Sequence, residues 1–300
     1  MSVLVVGSAA LDSIETPFGK ADDVLGGSAI YFSSAASYFT NVNVVAVVGE
    51  DFPLQDIQYL KKRNVDMSGL CVERGKTFRW GGKYDFDVND RTTLYTHLNV
   101  FENFNPTIPE NLKDVPYVFL ANIQPELQLK VLNQMNKPKL VVMDTMNFWI
   151  EGRPDALRDV LKFIDILIIN DSEARLLAQE ANLFKAAPII RKMGPRTLVI
   201  KKGEHGAMLI TNGSYFWAPA YPLEELYDPT GAGDTFAGGF VGYLAKSDDI
   251  SSANLRKAVI YGSTLASFCV ERFSVERLKN LTEPEIESRY QEFKELTIFE

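Results

Sequence analysis

Asp228-Pro229-Thr230-Gly231-Ala232-Gly233-Asp234 runs directly into Thr235-Phe236-Ala237-Gly238-Gly239-Phe240-Val241-Gly242-Tyr243-Leu244. Gly231 and Gly233 let the backbone turn so that successive N–H groups point at one spot. The apolar run that follows has helical character. A helix starting there adds its unpaired N–H groups and the positive end of its dipole. The stretch therefore reads as an anion site with a carboxylate inside it. A carboxylate would repel a phosphate unless the chemistry needs one, and abstraction of a proton from a hydroxyl that attacks the phosphate is such a need. The plain alternative is a Gly-rich turn with Asp234 as a helix N-cap. Seven positions agree with the anion site, which is the reading adopted.

Outward from this loop, short apolar runs alternate with longer helical patterns. Runs at 3–6, 44–48, 115–120, 140–143, 166–169 and 197–200 are rich in Val, Ile and Leu without polar alternation, as buried parallel strands are. Helical stretches lie between them, around 29–39, 56–63, 172–179 and 187–192. This alternation predicts a mostly parallel sheet covered on both faces, with ligands bound beyond the strand C-termini. Asp12, Asn147, Asn170 and Lys201 all follow predicted strand ends. One segment breaks the pattern. From 77 to 88 the order alternates strictly, with Phe78, Trp80, Tyr84, Phe86 and Val88 on one face. Asn89-Asp90-Arg91 reads as a turn and 92–100 as a returning strand. A hairpin this small needs something to cover, either a site or a second subunit. The chain thus divides into an α/β core of 1–70 and 101–300 and a β-hairpin lid of 71–100.

Composition narrows the function. The chain has 300 residues, 46% of them hydrophobic and 23% charged, which is ordinary for a large α/β domain. No apolar run reaches membrane-spanning length, and the opening Ser2-Val3-Leu4-Val5-Val6-Gly7 reads as a buried strand rather than a leader. Neither a membrane nor a secretory route is expected. The two cysteines, Cys71 and Cys269, lack metal-like spacing and suit a reducing cytoplasm. A net charge of −8 argues against nucleic acid as a partner. His97 and His205 lack partner ligands at zinc spacing.

The 228–234 stretch resembles the Asp-Thr-x-Gly-Ala-Gly-Asp motif of the ribokinase-like (PfkB) carbohydrate kinase family, with Pro229 where that family usually has Thr. Asn170-Asp171-Ser172-Glu173 resembles the family's Asn-x-x-Glu element, although taken alone it reads as a helix capping box. Gly26-Gly27-Ser28 resembles the N-terminal Gly-Gly motif. Tyr31 stands where the family commonly has Asn, which weakens the case for ribose itself. The resemblance covers essentially the whole chain and implies a ribokinase-like three-layer α/β/α fold with a small β-sheet lid.

It also implies ATP and Mg²⁺, with K⁺ as a candidate monovalent cation near the anion loop. Asp234 would be the general base, and Gly231, Ala232 and Gly233 would present N–H groups to the transferring phosphate. Asp12, Gly26, Gly27, Tyr31, Trp80 and Glu126 would meet the acceptor. Asn170, Lys201, Gly203, Thr230 and Phe268 would meet the nucleotide, and Glu173 would hold the metal through water. Dimerisation through the lid follows from the same likeness. The expected activity is phosphoryl transfer to a sugar or polyol hydroxyl. A nucleoside kinase is the alternative, since Phe78, Trp80 and Tyr84 could stack a base. A non-catalytic ligand-responsive protein is a third reading, disfavoured by the intact Gly-Ala-Gly-Asp loop.

Overall fold

Val3 and Val5 bury in one hydrophobic core while Leu4 and Val6 bury in another, on the opposite side of the same strand. That is the signature of a sheet sandwiched between two helical layers, and it explains why its strands are continuous apolar runs. The computed structural model describes residues 1–88 and 91–298. In chain order the strands are β1 (Ser2–Val6), β2 (Ala10–Thr16), β3 (Gly19–Gly26), β4 (Asn41–Gly49), β5 (Val65–Glu73), β6 (Phe78–Tyr84), β7 (Arg91–His97), β8 (Tyr117–Leu120), β9 (Leu140–Asp144), β10 (Ile166–Asn170), β11 (Thr197–Lys201), β12 (Ala207–Ile210) and β13 (Tyr215–Ala218). Nine of them form the main sheet in the order β13-β12-β11-β10-β9-β8-β1-β4-β5. The sheet is parallel from β11 to β5, and β12 and β13 turn back antiparallel at one edge. β1 pairs with β4 on one side and β8 on the other, so the chain reverses direction across the sheet at β1. The crevice beyond the strand C-termini at such a reversal is where open α/β sheets bind ligands.

Helices Ser28–Ala36, Ala232–Ser247 and Ser252–Cys269 cover one face, together with Val142 and Ile168. Helices Pro154–Leu161, Asp171–Ala178 and Leu183–Arg191 cover the other, with Leu167 and Ile169. The expected three-layer arrangement is present.

The small sheet differs from the expected lone hairpin. It has four strands in the order β3-β2-β6-β7, so half of it comes from residues 10–26, directly after β1. β5, ending at Glu73, belongs to the main sheet. The strand foreseen to Val88 stops at Tyr84, which pairs with Arg91 of β7 one residue after the register with β2 ends at Glu15–Lys83. Phe86, beyond that point, is 95% exposed. The foreseen turn residues Asn89 and Asp90 lie outside the described residues, while Arg91 opens β7. β7 ends at His97 rather than at 100. Asn99 there takes a left-handed φ of 51° and donates its side-chain N–H to the Thr77 carbonyl at 2.8 Å. The root of the lid is tied down firmly. One oxygen of Asp51 accepts both the Thr77 N–H and its hydroxyl at 2.7 Å, and Arg79 spans Asp51 and Asp23.

The helix behind the anion loop is fixed by close backbone packing. A Cβ placed on Gly238 would lie 2.3 Å from the Phe32 carbonyl oxygen of helix Ser28–Ala36, whereas one on Gly152 would meet nothing within 4 Å. Gly238→Ala is expected to destabilise by about 1–3 kcal/mol through overpacking. Gly152→Ala should be neutral or stabilise by about 0.4–1 kcal/mol. Equal thermal midpoints for the two variants would contradict this account of how the helix is positioned.

Candidate active site

Strand register brings the polar residues together. β9 ends at Asp144, β10 at Asn170 and β11 at Lys201, and these three parallel strands are neighbours. Asn170 then caps helix Asp171–Ala178. Its Oδ1 accepts the Glu173 N–H, and Glu173 Oε2 accepts the Asn170 N–H, both at 2.7 Å. The capping box is therefore real, and it fixes the Glu173 carboxylate over the strand ends. Asp234 arrives from the opposite side, in the first turn of helix Ala232–Ser247.

Charge shows how tightly these groups meet. Burial, reinforced by Asp144, pushes the Asp234 carboxyl up to about 7, with Lys201 opposing. Glu173 is raised to about 7 for the same reasons in the same order. Burial also raises Asp144, against the pull of Lys201. Burial alone would lower the Lys201 ammonium, yet Asp144, Glu173 and Asp234 together hold it above its ordinary value. Its Nζ lies 2.7 Å from where a Cβ on Gly233 would stand, so the ammonium rests directly on the anion loop.

The backbone of the loop turns at Gly231. Gly231 caps the helix at φ +75°, and a Cβ there would stand 2.4 Å from the Tyr31 ring. Only glycine fits that position without strain. The Ala232 N–H is engaged by the Pro229 carbonyl at 3.2 Å, so Ala232 is a poorer donor than expected. Asp228 is fully buried and accepts the N–H groups of Thr230 at 2.8 Å and Ser274 at 3.1 Å.

The small sheet supplies the other wall. Asp12 lies in β2, not in a turn after β1, and is 5% exposed. Burial pushes its carboxyl up to about 8, helped by Asp228 and Asp234 and opposed by the Gly27 N–H. Its Oδ2 is 1.9 Å from where a Cβ on Gly26 would sit, so a side chain there would displace it. Gly27 has φ +90° and caps helix Ser28–Ala36. Trp80 pairs with Asp12 across neighbouring strands, which puts both side chains on one face. On that face too, the Tyr84 hydroxyl accepts a hydrogen bond from Thr230 Oγ1 at 3.1 Å.

Three expected contacts fall elsewhere. Tyr31 is 1% exposed and fills the space beneath Gly231 instead of facing an opening. Glu126 is exposed on helix Pro125–Leu132, with its carboxylate 3.6 Å from Arg153. Phe268 is 2% exposed, and the guanidiniums of Arg289 and Arg277 lie over its ring. Gly203 stands between Lys202 and Glu204, which line a cavity of about 670 Å³ together with His205, Trp217 and Leu296. Arg91 was read only as a turn residue. Its guanidinium lies 5.6 Å from the Trp80 ring, and its charge reaches Asp12, Glu173 and Asp234. The available signal was a cation at the end of a hairpin whose inner face was already suspect.

Among the described residues no cluster of three or more His, Cys, Asp or Glu side chains could hold a metal ion directly. Raised, mutually repelling carboxyls at Glu173 and Asp144 do suit a hydrated divalent cation that arrives with phosphate oxygens. Among the same residues no helix is long and apolar enough to cross a membrane.

A twisted α/β sheet with an anion loop, a neighbouring carboxylate and a lysine defines a phosphotransferase of the sugar-kinase kind. The profile of the pfkB family of carbohydrate kinases matches residues 5–280, and the chain belongs to that family. A cytidine kinase from Thermococcus kodakarensis is 33% identical over 248 residues, covering 80% of this chain and 87% of that one. Two solved structures share the ribokinase-like fold. The nucleoside kinase of Methanocaldococcus jannaschii has a TM-score of 0.75 at 22% identity, covering 97% of this chain and 98% of that one. The aminoimidazole riboside kinase of Salmonella enterica, complexed with aminoimidazole riboside and an ATP analog, scores 0.77 at 19% identity, covering 97% and 100%.

A carboxyl raised on folding binds more protons in the folded protein than in the unfolded chain. The stability it lends at low pH is lost as pH rises from its unfolded value toward the folded one. For Asp12, Asp234 and Glu173 this window runs from about 4 to about 8. The ligand-free protein should lose thermal stability between pH 5 and pH 8, and Asp12→Asn should flatten that slope. At pH 8 the variant's midpoint should rise by about 2–4 °C, what roughly 1 kcal/mol is worth in a domain of this size. A wild-type midpoint independent of pH across this range would refute the assignment.

Proposed function

We propose that this protein transfers the γ-phosphoryl group of ATP to a ribose hydroxyl of a nucleoside, with Asp234 as general base. The observation that carries the reading is the position of Asp234. It sits in the first turn of the helix behind the Gly231–Gly233 loop, beside Lys201, and its carboxyl is raised to about 7. A base poised near neutral pH can both accept a proton and remain largely ionised. Lys201 and the N–H groups of Gly233 and Asp234 take the charge that develops on the transferring group. Preorganised donors of this kind are worth about 2.7–4 kcal/mol each. Mg²⁺, when bound with the nucleotide, supplies charge neutralisation between phosphate oxygens, and Glu173 would hold it through water. Asp12 and the Gly26–Gly27 backbone orient the acceptor. Thr230 and Asn170 border the phosphates, and the cavity beside Gly203 borders the rest of the nucleotide.

Two observations support a nucleoside over a free sugar or polyol, the reverse of the order reached from sequence. Trp80 stands beside Asp12 on one face of the small sheet, where a base attached to the ribose would meet a flat ring. The Thermococcus relative, at 33% identity over most of both chains, is a cytidine kinase.

The test is ADP release with Mg-ATP against cytidine, adenosine, uridine, free ribose, fructose and inositol. Turnover is expected on at least one nucleoside, and Asp234→Asn should lower kcat by about 10²–10⁴ without changing the thermal midpoint at pH 5. The wild-type kcat should rise with pH through about 7 as Asp234 loses its proton. Turnover on free sugars alone would sink the nucleoside assignment. ATP binding without turnover of any acceptor would sink the enzyme.

A further inference from the structure

The small sheet is held to the core at two places of different character. Its root is clamped by Asp51, which binds the Thr77 N–H and hydroxyl, and by Asn99, which binds the Thr77 carbonyl. At its far end β2 is tied by the Thr16 hydroxyl, which donates to the Tyr227 carbonyl at 2.9 Å, whereas the β6–β7 edge is tied there through Tyr84. Tyr84 is the last residue of β6, 5% exposed, and Phe86 two residues on is almost wholly in solvent. The Tyr84 hydroxyl accepts the Thr230 hydroxyl at 3.1 Å, inside the anion loop. Arg91 pairs with Tyr84 across β6 and β7, and its positive charge acts on the Tyr84 hydroxyl.

We infer that Tyr84 is a positioning residue: its hydroxyl latches the tip of the small sheet to Thr230 and aims Arg91 at the carboxylate cluster. Arg91 then faces the phosphate site from the lid while Lys201 faces it from the core. Closing the lid and completing the cationic surround of the transferring group become one event. With β2 and β3 tied to the core through Thr16 and Leu25, the β6–β7 edge, latched by one hydrogen bond opposite a root held by several, gives way first and opens from its tip, pivoting at Thr77. The kinetic consequence rests on the phosphotransfer reading above, but the latch itself does not.

Tyr84→Phe removes the hydroxyl and keeps the buried ring. Amide hydrogen exchange is measured on the full chain, with and without Mg-ATP, alongside ADP release and cytidine phosphate formation. Exchange at 78–84 and 91–97 should quicken about 10-fold, the size of one lost hydrogen bond, with strands 117–120 and 140–144 unchanged. The kcat with cytidine should fall by about 10-fold while KM for ATP moves less than threefold. ADP released per cytidine phosphorylated should rise above one, because water enters. Arg91→Ala should reproduce the kinetic loss, and the double variant should lose no more than Arg91→Ala alone. Unchanged lid exchange, exchange that quickens equally in the main sheet, or additive losses would overturn the latch. If wild type leaves cytidine untouched, the nucleoside reading falls, and the exchange comparison still decides the latch.

Discussion

Everything at this site is arranged around one ammonium group. Asp144, Glu173 and Asp234 stand close enough to raise or oppose one another's ionisation, and Lys201 is the cation that makes their company tolerable. Carboxyls this close lose their protons in successive steps that belong to the cluster, since each charge formed makes the next harder to form. The arrangement follows from the sheet. Asn170 is in register with Lys201, and Ile168 with Asp144, so strand ends spaced about 4.8 Å apart deliver the groups to one rim. The helix N-terminus at Ala232 completes that rim with partial positive charge. An anion is drawn to Lys201 and the loop, and a hard cation to the carboxylates. A metal–nucleotide complex satisfies both demands at once.

The Gly231–Gly233 loop is fastened by residues distant in sequence. Asp228 ties Thr230 to Ser274, and the Ser274 hydroxyl donates to the Leu25 carbonyl in β3. Tyr31 fills the space under Gly231. The turn is thus fastened to the C-terminal segment, to the first helix and to the root of the lid. The Gly26–Gly27 end of β3, which meets Asp12, belongs to the same fastening. Acceptor and phosphate walls are mechanically continuous through Leu25 and Asp228.

Parts of this were legible in the sequence because their physics is local. A strand buried on both faces must be apolar throughout, so β1, β9, β10 and β11 announce themselves. The anion loop announces itself through glycine chemistry. β2 and β3 did not, because their sequences, Ala10-Leu-Asp-Ser-Ile-Glu-Thr16 and Gly19-Lys-Ala-Asp-Asp-Val-Leu-Gly26, mix polar and apolar residues. Their register also slips between Asp12 and Ile14, where Asp23 takes a left-handed φ of 50°. Glu126 and Phe268 occupy promising positions in the chain, but helix geometry turns one toward Arg153 and the other into the core beneath two arginines. Arg91 was opaque for the opposite reason. Its meaning depends on where the small sheet lies over the main one, and no local pattern encodes that.

The origin of β2 and β3 bears on how the reaction is kept from wasting ATP. A carboxylate poised near neutrality at Asp234 would deprotonate a water molecule as readily as a ribose hydroxyl, since basicity does not distinguish them. Discrimination must come from position. Asp12, proposed above to hold the acceptor, is carried by the small sheet itself, on a strand hydrogen-bonded to β6. On the proposed reading, an acceptor held by Asp12 rests on the same sheet that covers the site. Proximity and water exclusion, which act through separate parts in many enzymes, would then both be carried by this one sheet. The two strands from the N-terminal segment are what bring Asp12 into the sheet: a lid built from 71–100 alone would cover the site without it.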